Sequence, residues 1–417
     1  MKKFTVILLA LAMLLSLSAC GAEKTETGTA APAEQGFTPA LDTSAKATLY
    51  VVGGWGNFEA LDQVALDFKN YYPDVDVVYT KLDNTREDMA NRFATGEEIN
   101  LFICDWWDIA NVTNTEILLN AEDLNQAGID FSNLNAELLK TGEYDGQQVM
   151  LPIYLQIMGY MVNLDLLESA GVEVPTDYSS LVSAAGQLTE AGYEKPIYID
   201  SGHYNRTFVA YYLQQLINGE EDKAALDDTL AKMGALYEAG YINEEGNTLE
   251  DTYNAMILRF FEGDVPIQII PTGNFCGTAK REAKSEAFTA SPFRYEFVPM
   301  AFEDNGAAYV NQTGSLYIGV YKNADDLELT NEFLRFMFTD SEMAVLRNIK
   351  KMPTSNQNNG LEGFPYISWD RLIYVTEEKI TAEDEEIANS ALKLYEVGSE
   401  NSAVYERLEY LNQNGIN

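Results

Sequence analysis

Histidine is almost missing from this chain. One imidazole, His203, stands among 417 residues, so neither a His-based metal centre nor a Ser-His-Asp triad is easily assembled. Basic side chains are scarce as well: 27 Lys and Arg face 65 Asp and Glu, a formal net charge of −38. Phosphate backbones are gripped by concentrated Lys and Arg, which excludes nucleic acid as a partner. The sequence holds no G-x-S-x-G elbow, Walker A loop, C-x-x-C or H-E-x-x-H. With 65 carboxylates, a pair spaced for acid–base work arises by chance and carries no weight. What remains is globular in composition, 46% apolar and 12% aromatic, on a chain longer than one hydrophobic core usually organises, so two lobes are expected. A secreted binder, a carboxylate-based enzyme or a passive surface protein are the classes left.

The amino terminus reads as a targeting segment. Lys2 and Lys3 precede an uncharged, mostly apolar run over 4–19 that ends at Cys20. Sixteen residues fall short of the roughly 20 that a membrane-spanning helix needs, so 1–19 is expected to be a signal peptide. Leu17-Ser18-Ala19-Cys20-Gly21 resembles the bacterial lipobox, in which the cysteine is lipidated and becomes the mature terminus. Several acyl chains there would anchor the protein stably to the membrane. Residues 20–46 are polar and rich in Ala, Thr, Glu and Gly, a lipidated flexible linker able to span roughly 30 Å as a coil. Without Lys2 and Lys3 the mature chain carries 25 basic and 65 acidic side chains, a charge of −40. Cys104 stands in a strand-like run and Cys276 in a loop; two free thiols is the plainer reading, and the sequence leaves a pairing between them open.

From Thr48 onward, strand and helix patterns alternate in the α/β manner. Strands are expected at 48–52, 75–79 and 100–104, with helices between them, as a parallel β-α-β-α-β unit. The stretch 146–164 lacks charge for nineteen residues, but Gln148, Pro152, Gln156, Gly159 and Asn163 make it a buried strand system and not a span. Further helices are predicted at 165–170, 178–191, 207–217, 226–239 and 252–261, and strands at 265–270, 295–299 and 316–320. His203 falls in a predicted loop, and the chain from Asn331 reads as mostly helical.

In open α/β sheets, ligands bind beyond the carboxyl ends of the strands. There the sequence places Trp55 and Asn57 after the first strand and Asp105, Trp106 and Trp107 after the third. Tyr154 and Gln156 follow Met150-Leu151, Asn274 and Phe275 follow Ile270, and Trp369 stands near the carboxyl terminus. Flat apolar rings interleaved with Asp, Asn and Gln suit a pyranose, whose C–H face packs on a ring while its hydroxyls take polar partners. Each ring has a plainer reading as a core plug, and each Asp one as a turn or N-cap residue.

Several segments, in order and spacing, carry a family likeness: Gly142-Glu-Tyr-Asp-Gly146 with Leu151-Pro152, Gly159-Tyr-Met-Val-Asn163 and Asp165-Leu-Leu-Glu-Ser-Ala-Gly171. Gly240-Tyr-Ile-Asn243, Phe261-Glu-Gly-Asp264, Phe297-Val-Pro-Met300, Gly314-Ser-Leu-Tyr-Ile-Gly319 and Phe333-Leu-Arg-Phe-Met-Phe338 continue it. Together they resemble the family 1 extracellular solute-binding proteins of ABC importers, the carbohydrate type that includes maltose-binding protein. The resemblance implies a two-lobed, periplasmic-binding-protein-like (type II) α/β fold with hinge crossings and a C-terminal helical segment. It places lobe one at 47–152 plus 317–347, lobe two at 159–315 plus 353–417, and the hinge at 153–158 and 316–318. The family's stacking aromatic maps onto Phe275 and its polar cleft residue onto Gln156.

What the likeness implies is a membrane-anchored, extracytoplasmic receptor, without cofactor, metal or covalent step, that delivers a sugar or oligosaccharide to an ABC permease. Three alternatives stay open: the same fold binding a peptide or polyol phosphate, a surface glycoside hydrolase, and a structural lipoprotein.

Overall fold

The computed structural model describes residues 37–54, 59–82, 88, 91–92, 94–105, 118–129, 131–132, 134–144, 146–250, 252–275, 278–303, 308–309, 315–339, 341–342, 364–368 and 371–373. Fourteen strands are defined among them: β1 (Ala47–Gly53), β2 (Val75–Lys81), β3 (Leu101–Asp105), β4 (Glu143–Tyr144), β5 (Gln147–Gln148), β6 (Leu151–Tyr154) and β7 (Met158–Asn163). After these come β8 (Ile197–Tyr198), β9 (Ile242–Asn243), β10 (Ile267–Pro271), β11 (Tyr295–Pro299), β12 (Ala308–Tyr309), β13 (Leu316–Val320) and β14 (Leu372–Ile373).

Two five-stranded sheets organise the body. The first has the order β2-β1-β3-β13-β6 and the second β11-β7-β10-β8-β9. In the first, β1 runs parallel to β2 and β3, as the opening unit of the sequence predicts. Strand β13, more than 200 residues downstream of β3, lies between β3 and β6 and runs antiparallel to both. In the second, β7 lies antiparallel to β10 and β11, while β8 pairs parallel with β10 and β9. The uncharged stretch of the sequence becomes β6 and β7, in which every residue is buried; covered strands read as continuous apolar runs because neither face meets water.

Helices cover the sheets where apolar spacing demands it. In Glu59–Phe68, Leu61, Val64 and Phe68 fall on one face and are 2% exposed or less. Phe68 packs edge-on against Phe333 of the helix Leu327–Met337, ring centroids 5.2 Å apart. Around the second sheet, Leu164–Ala170 opens on an Asn163 side chain that accepts from Leu166 N–H and closes on Gly171 in the left-handed region. Tyr178–Glu190 opens on a reciprocal Asp177/Ser180 capping box. With the helices Ser201–Ile217 and Asp222–Glu238 they bury Leu167, Leu181, Phe208 and Leu236 in one core with Tyr160, Ile267 and Val298 of the sheet. Phe302 lies stacked between Tyr211 and Tyr178, at centroid distances of 4.2 and 5.6 Å.

One expectation needs correcting. The helix expected at 207–217 starts six residues earlier, as Ser201–Ile217, so His203 sits in its first turn and not in a loop. The cause is Asp200, whose side chain accepts from His203 N–H and caps the helix. Among the described residues, no helix is long and apolar enough to cross a membrane.

Candidate functional site

The chain leaves the first sheet at Tyr154 and enters the second at Met158, so residues 155–157 form a direct link between them. Around that link the structure gathers four of the nominated side chains: Tyr154 (1% exposed), Gln156 (5%), Asn274 (2%) and Phe275 (3%). Thr272, which the sequence reading passed over, ties the turn that carries Asn274 and Phe275 to the link. Its hydroxyl accepts from Ile157 N–H at 3.0 Å and donates to Leu155 C=O at 3.2 Å. A hydroxyl has one proton to give, so the Tyr154 O–H, 3.4 Å away, is the donor in its contact with Thr272. The Thr272 backbone N–H in turn donates to Ile157 C=O at 2.9 Å.

Local sequence explains this closeness. Strand β10 ends at Pro271, and Thr272–Phe275 is a single helical turn. Its second residue is a glycine that lets the turn approach closely: a Cβ at Gly273 would stand 2.7 Å from Gln156 Nε2 and 3.2 Å from the Tyr154 hydroxyl. The next residue, Asn274, carries a fully buried Nδ2 with no hydrogen-bond partner. A buried donor left unpaired is costly, so this amide has a hydrogen bond still to give.

Phe275 has a different setting. Its ring lies among Tyr295, Phe297 and Phe364 at centroid distances of 5.7 to 6.0 Å. In that cluster the ring is 3% exposed. Asp105 ends β3, and Leu316 of β13 pairs with both Asp105 and Tyr154, so the two strand ends lie at one level. Gly53 ends β1 at the same end of the sheet, where a Cβ would come within 2.4 Å of Ile103 C=O. The other nominated residues, Trp55, Asn57, Trp106, Trp107 and Trp369, lie outside the described residues, as do the lipidation candidate Cys20 and Cys276. Trp55 and Trp106 follow β1 and β3 by two residues and one residue.

A second polar group belongs to the same end of the second sheet. Asp200 Oδ2 and His203 Nδ1 are 2.5 Å apart, with side chains 10% and 14% exposed. Burial pushes the Asp200 carboxyl up, but the hydrogen bonds and charge of His203 outweigh it and hold the group below its ordinary 3.8. Asp200 was not nominated from sequence, although an Asp three residues ahead of a backbone N–H it can cap is a readable signal.

Tyr154, Gln156, Thr272 and Asn274 are all uncharged at neutral pH. Hydroxyl, amide and backbone groups of this kind recognise neutral polar molecules by paired donors and acceptors, not by ion pairing. Among the described residues, no group of His, Cys, Asp and Glu is placed to hold a metal ion.

Comparison with known proteins follows the same line. Residues 53–344 match the family model described as bacterial extracellular solute-binding protein. No curated protein matches the chain. Among solved structures, the chain is similar to the GacH receptor of Streptomyces glaucescens, solved unliganded and with acarbose: 16% identity, TM-score 0.69, covering 88% of this chain and 98% of that one. It is also similar to the ABC substrate-binding protein Lmo0181 of Listeria monocytogenes, solved with cycloalternan, at 17% identity and TM-score 0.63 over 89% and 99% of the two chains. Maltose-bound MalE3 of T. maritima matches at 16% identity and TM-score 0.64 over 88% and 100%. At such identities the likeness is one of fold.

Proposed function

Because the chain belongs to the bacterial extracellular solute-binding protein family, with the two-lobed α/β fold of its structural relatives, we propose that it is a sugar receptor. In this reading it captures a neutral sugar or oligosaccharide between its lobes and delivers it to the membrane subunits of an ABC importer. The observation that carries the reading is the uncharged cluster at the 155–157 link, with the unpaired Asn274 amide in the turn that packs against it. Solved relatives holding acarbose, cycloalternan and maltose support it.

The roles follow from chemistry. Gln156 and Asn274 each present an amide that can donate to one solute hydroxyl and accept from another, and Tyr154 adds a hydroxyl. Trp55, Trp106, Trp107 and Trp369 supply rings for the C–H faces, Asn57 and Asp105 further polar partners, and Phe275 a ring drawn from the cluster behind Asn274. The site is shielded here, so opening at the hinge is what admits the solute. No covalent step is involved: solute is bound and released intact, and it acts by favouring the closed form. If the empty protein closed only about 1% of the time, a solute would need roughly 10⁴-fold preference for the closed form to dominate.

Lobe one comprises 47–152 plus 317–347 and lobe two 159–315 plus 353–417, hinged at 153–158 and 316–318. The family places the body outside the cytoplasm, and the leader at 1–19 with lipidated Cys20 and the linker at 20–46 would tether it to the membrane. A mature chain with 65 acidic against 25 basic residues disfavours a polyanionic solute such as a polyol phosphate.

Thermal unfolding of the mature chain against maltose, raffinose, acarbose, short peptides and a polyol phosphate tests the reading. A ligand of the native state at about 100 times its Kd adds roughly 2.7 kcal/mol and raises the midpoint measurably. A rise with a sugar alone supports the proposal. A rise only with a peptide or the phosphate, or hydrolysis of an oligosaccharide, overturns it.

A further inference from the structure

The backbone of the link between the two sheets deepens the reading just given, and rests on it for the hinge that the link serves. Residues 155–157 carry the chain from β6 to β7, and Leu155, Gln156 and Ile157 are 0%, 5% and 0% exposed. Backbone groups buried this far need partners inside the protein. Two hydroxyls supply three of them: Thr272 Oγ1 donates to Leu155 C=O at 3.2 Å and accepts from Ile157 N–H at 3.0 Å, and Ser315 Oγ accepts from Gln156 N–H at 3.0 Å.

One peptide group is therefore held at both ends. The Leu155–Gln156 bond is trans, and a trans peptide is a rigid plane whose C=O and N–H point opposite ways. Its oxygen is held by Thr272, which follows β10 of the second sheet at once. Its N–H is held by Ser315, whose chain neighbour Leu316 already pairs with Asp105 and Tyr154 of the first sheet. Each sheet grips one end of a unit that does not bend, so turning one sheet against the other strains both bonds until one lets go. A third bond crosses the same way: the Tyr154 O–H, from β6 of the first sheet, reaches Thr272 Oγ1 at 3.4 Å.

We propose that Thr272 and Ser315 form a hydroxyl latch on the Leu155–Gln156 peptide, which holds the shielded form and releases when the lobes part. Both are positioning residues that act through the link. Thr272 has one hydroxyl proton and two lone pairs, and Leu155 C=O, Ile157 N–H and Tyr154 O–H use all three, so that hydroxyl has nothing left to offer a solute. The latch raises the fraction of empty protein that is already shielded, and so lowers the preference for the closed form that a solute must supply.

Small-angle scattering of the sugar-free mature protein reads the latch directly. Thr272→Val and Ser315→Ala should each have a larger radius of gyration than the parent, and Thr272→Ser, which keeps the hydroxyl, should return to the parent's value. Calorimetric titration then uses whichever of maltose, raffinose or acarbose raises the parent's melting temperature. Affinity should fall about three- to tenfold in Thr272→Val and in Ser315→Ala, the worth of one hydrogen bond. The double variant should be no more open, and bind no more weakly, than the more affected single one, because a peptide held at one end is no latch. A contact that only stabilises the fold would lower the melting temperature and leave the radius alone. Should Thr272→Val fail to fold, the radius and affinity of Ser315→Ala decide. A sugar-free radius equal to the parent's in the folded variants, or losses that add in the double variant, overturns this proposal and leaves the sugar-receptor reading standing. If none of the three sugars binds, that reading fails, and the scattering of the sugar-free proteins still decides the latch.

Discussion

Gln156 and Ser315 stitch together the two passages of the chain beside the first sheet. The Gln156 backbone N–H donates to Ser315 Oγ at 3.0 Å, with both residues buried. Gln156 lies two residues beyond β6, and Ser315 immediately precedes β13. Ser315→Ala leaves that N–H buried and unpaired, which should cost about 1–3 kcal/mol. Urea unfolding should show a lower midpoint with an unchanged slope. A midpoint equal to the parent's would mean that the pairing of β6 with β13 holds the passage unaided.

Asn274 gives a prediction of opposite character. Its Nδ2 has no partner to lose, so Asn274→Ala should leave stability within about 1 kcal/mol of the parent, because removing an unpaired buried donor offsets part of the lost packing. Affinity for the best sugar should fall about tenfold or more, as two hydrogen bonds to solute disappear. Calorimetric titration set beside a melting curve separates the two effects. Loss of stability with affinity intact would make Asn274 a structural residue.

Gly273→Ala tests how closely the Asn274 turn must approach the link. The new Cβ would meet Gln156 Nε2 at 2.7 Å, the end of a flexible side chain and not backbone. Gln156 can move aside, so the fold should survive with its melting temperature little changed, while the displaced amide lowers sugar affinity severalfold. Binding as tight as the parent's would remove the Gln156 side chain from the site.

The opening β1–β3 unit, the buried β6–β7 stretch and β13 were legible in the sequence because each is a short apolar run with local stop signals. Such signals, Gly53-Gly54 after β1 and, for the helices beside the sheets, Pro73 and Gly171, lie within a few residues of the elements they follow. Helix Ser201–Ile217 was foreshortened because Ser201-Gly202-His203-Tyr204-Asn205 is made of turn-forming residues, and the cap that overrides them depends on the rotamer of Asp200. The packing of Phe275 was not legible, since its neighbours Tyr295, Phe297 and Phe364 come from 20 to 89 positions downstream. Thr272 escaped notice because its importance lies in contacts with Leu155 and Ile157, more than 110 residues earlier. Local periodicity reads elements well, and it is silent on which distant segments meet.

Glu332 should make stability fall in acid. It is 4% exposed and accepts from Tyr72 O–H at 2.7 Å, Ala40 N–H at 2.8 Å and the Arg335 guanidinium. Burial pushes its carboxyl up, but those bonds, Arg335 foremost, prevail and hold it below the ordinary 4.5. A carboxyl depressed in the folded state contributes stability that is present above 4.5 and is lost as pH falls through its folded value. Glu332→Gln should therefore be about 1–3 kcal/mol less stable than the parent at neutral pH, with the gap narrowing in acid. A gap that does not change with pH would show that the carboxylate's charge is immaterial to this contact.

Glu342 should act in the opposite sense. It is 6% exposed, its Oε2 is buried without a partner, and burial first, then the Asp67 charge, push its carboxyl up to about 7 against a small downward pull from Ser341. A group raised in the folded state binds its proton more tightly there than in the unfolded chain, whose value is 4.5. Its contribution is complete below 4.5 and is lost as pH rises through about 7. Glu342→Gln imitates the protonated form at every pH, so it should leave the melting temperature unchanged near pH 4 and raise it at pH 8, where the parent must hold a buried charge facing Asp67. Asp67→Asn should give a smaller rise at pH 8, because it removes the repulsion and leaves the burial. Melting curves of the three proteins across that range decide the matter: parallel curves for parent and Glu342→Gln would mean that Glu342 ionises freely in the folded protein.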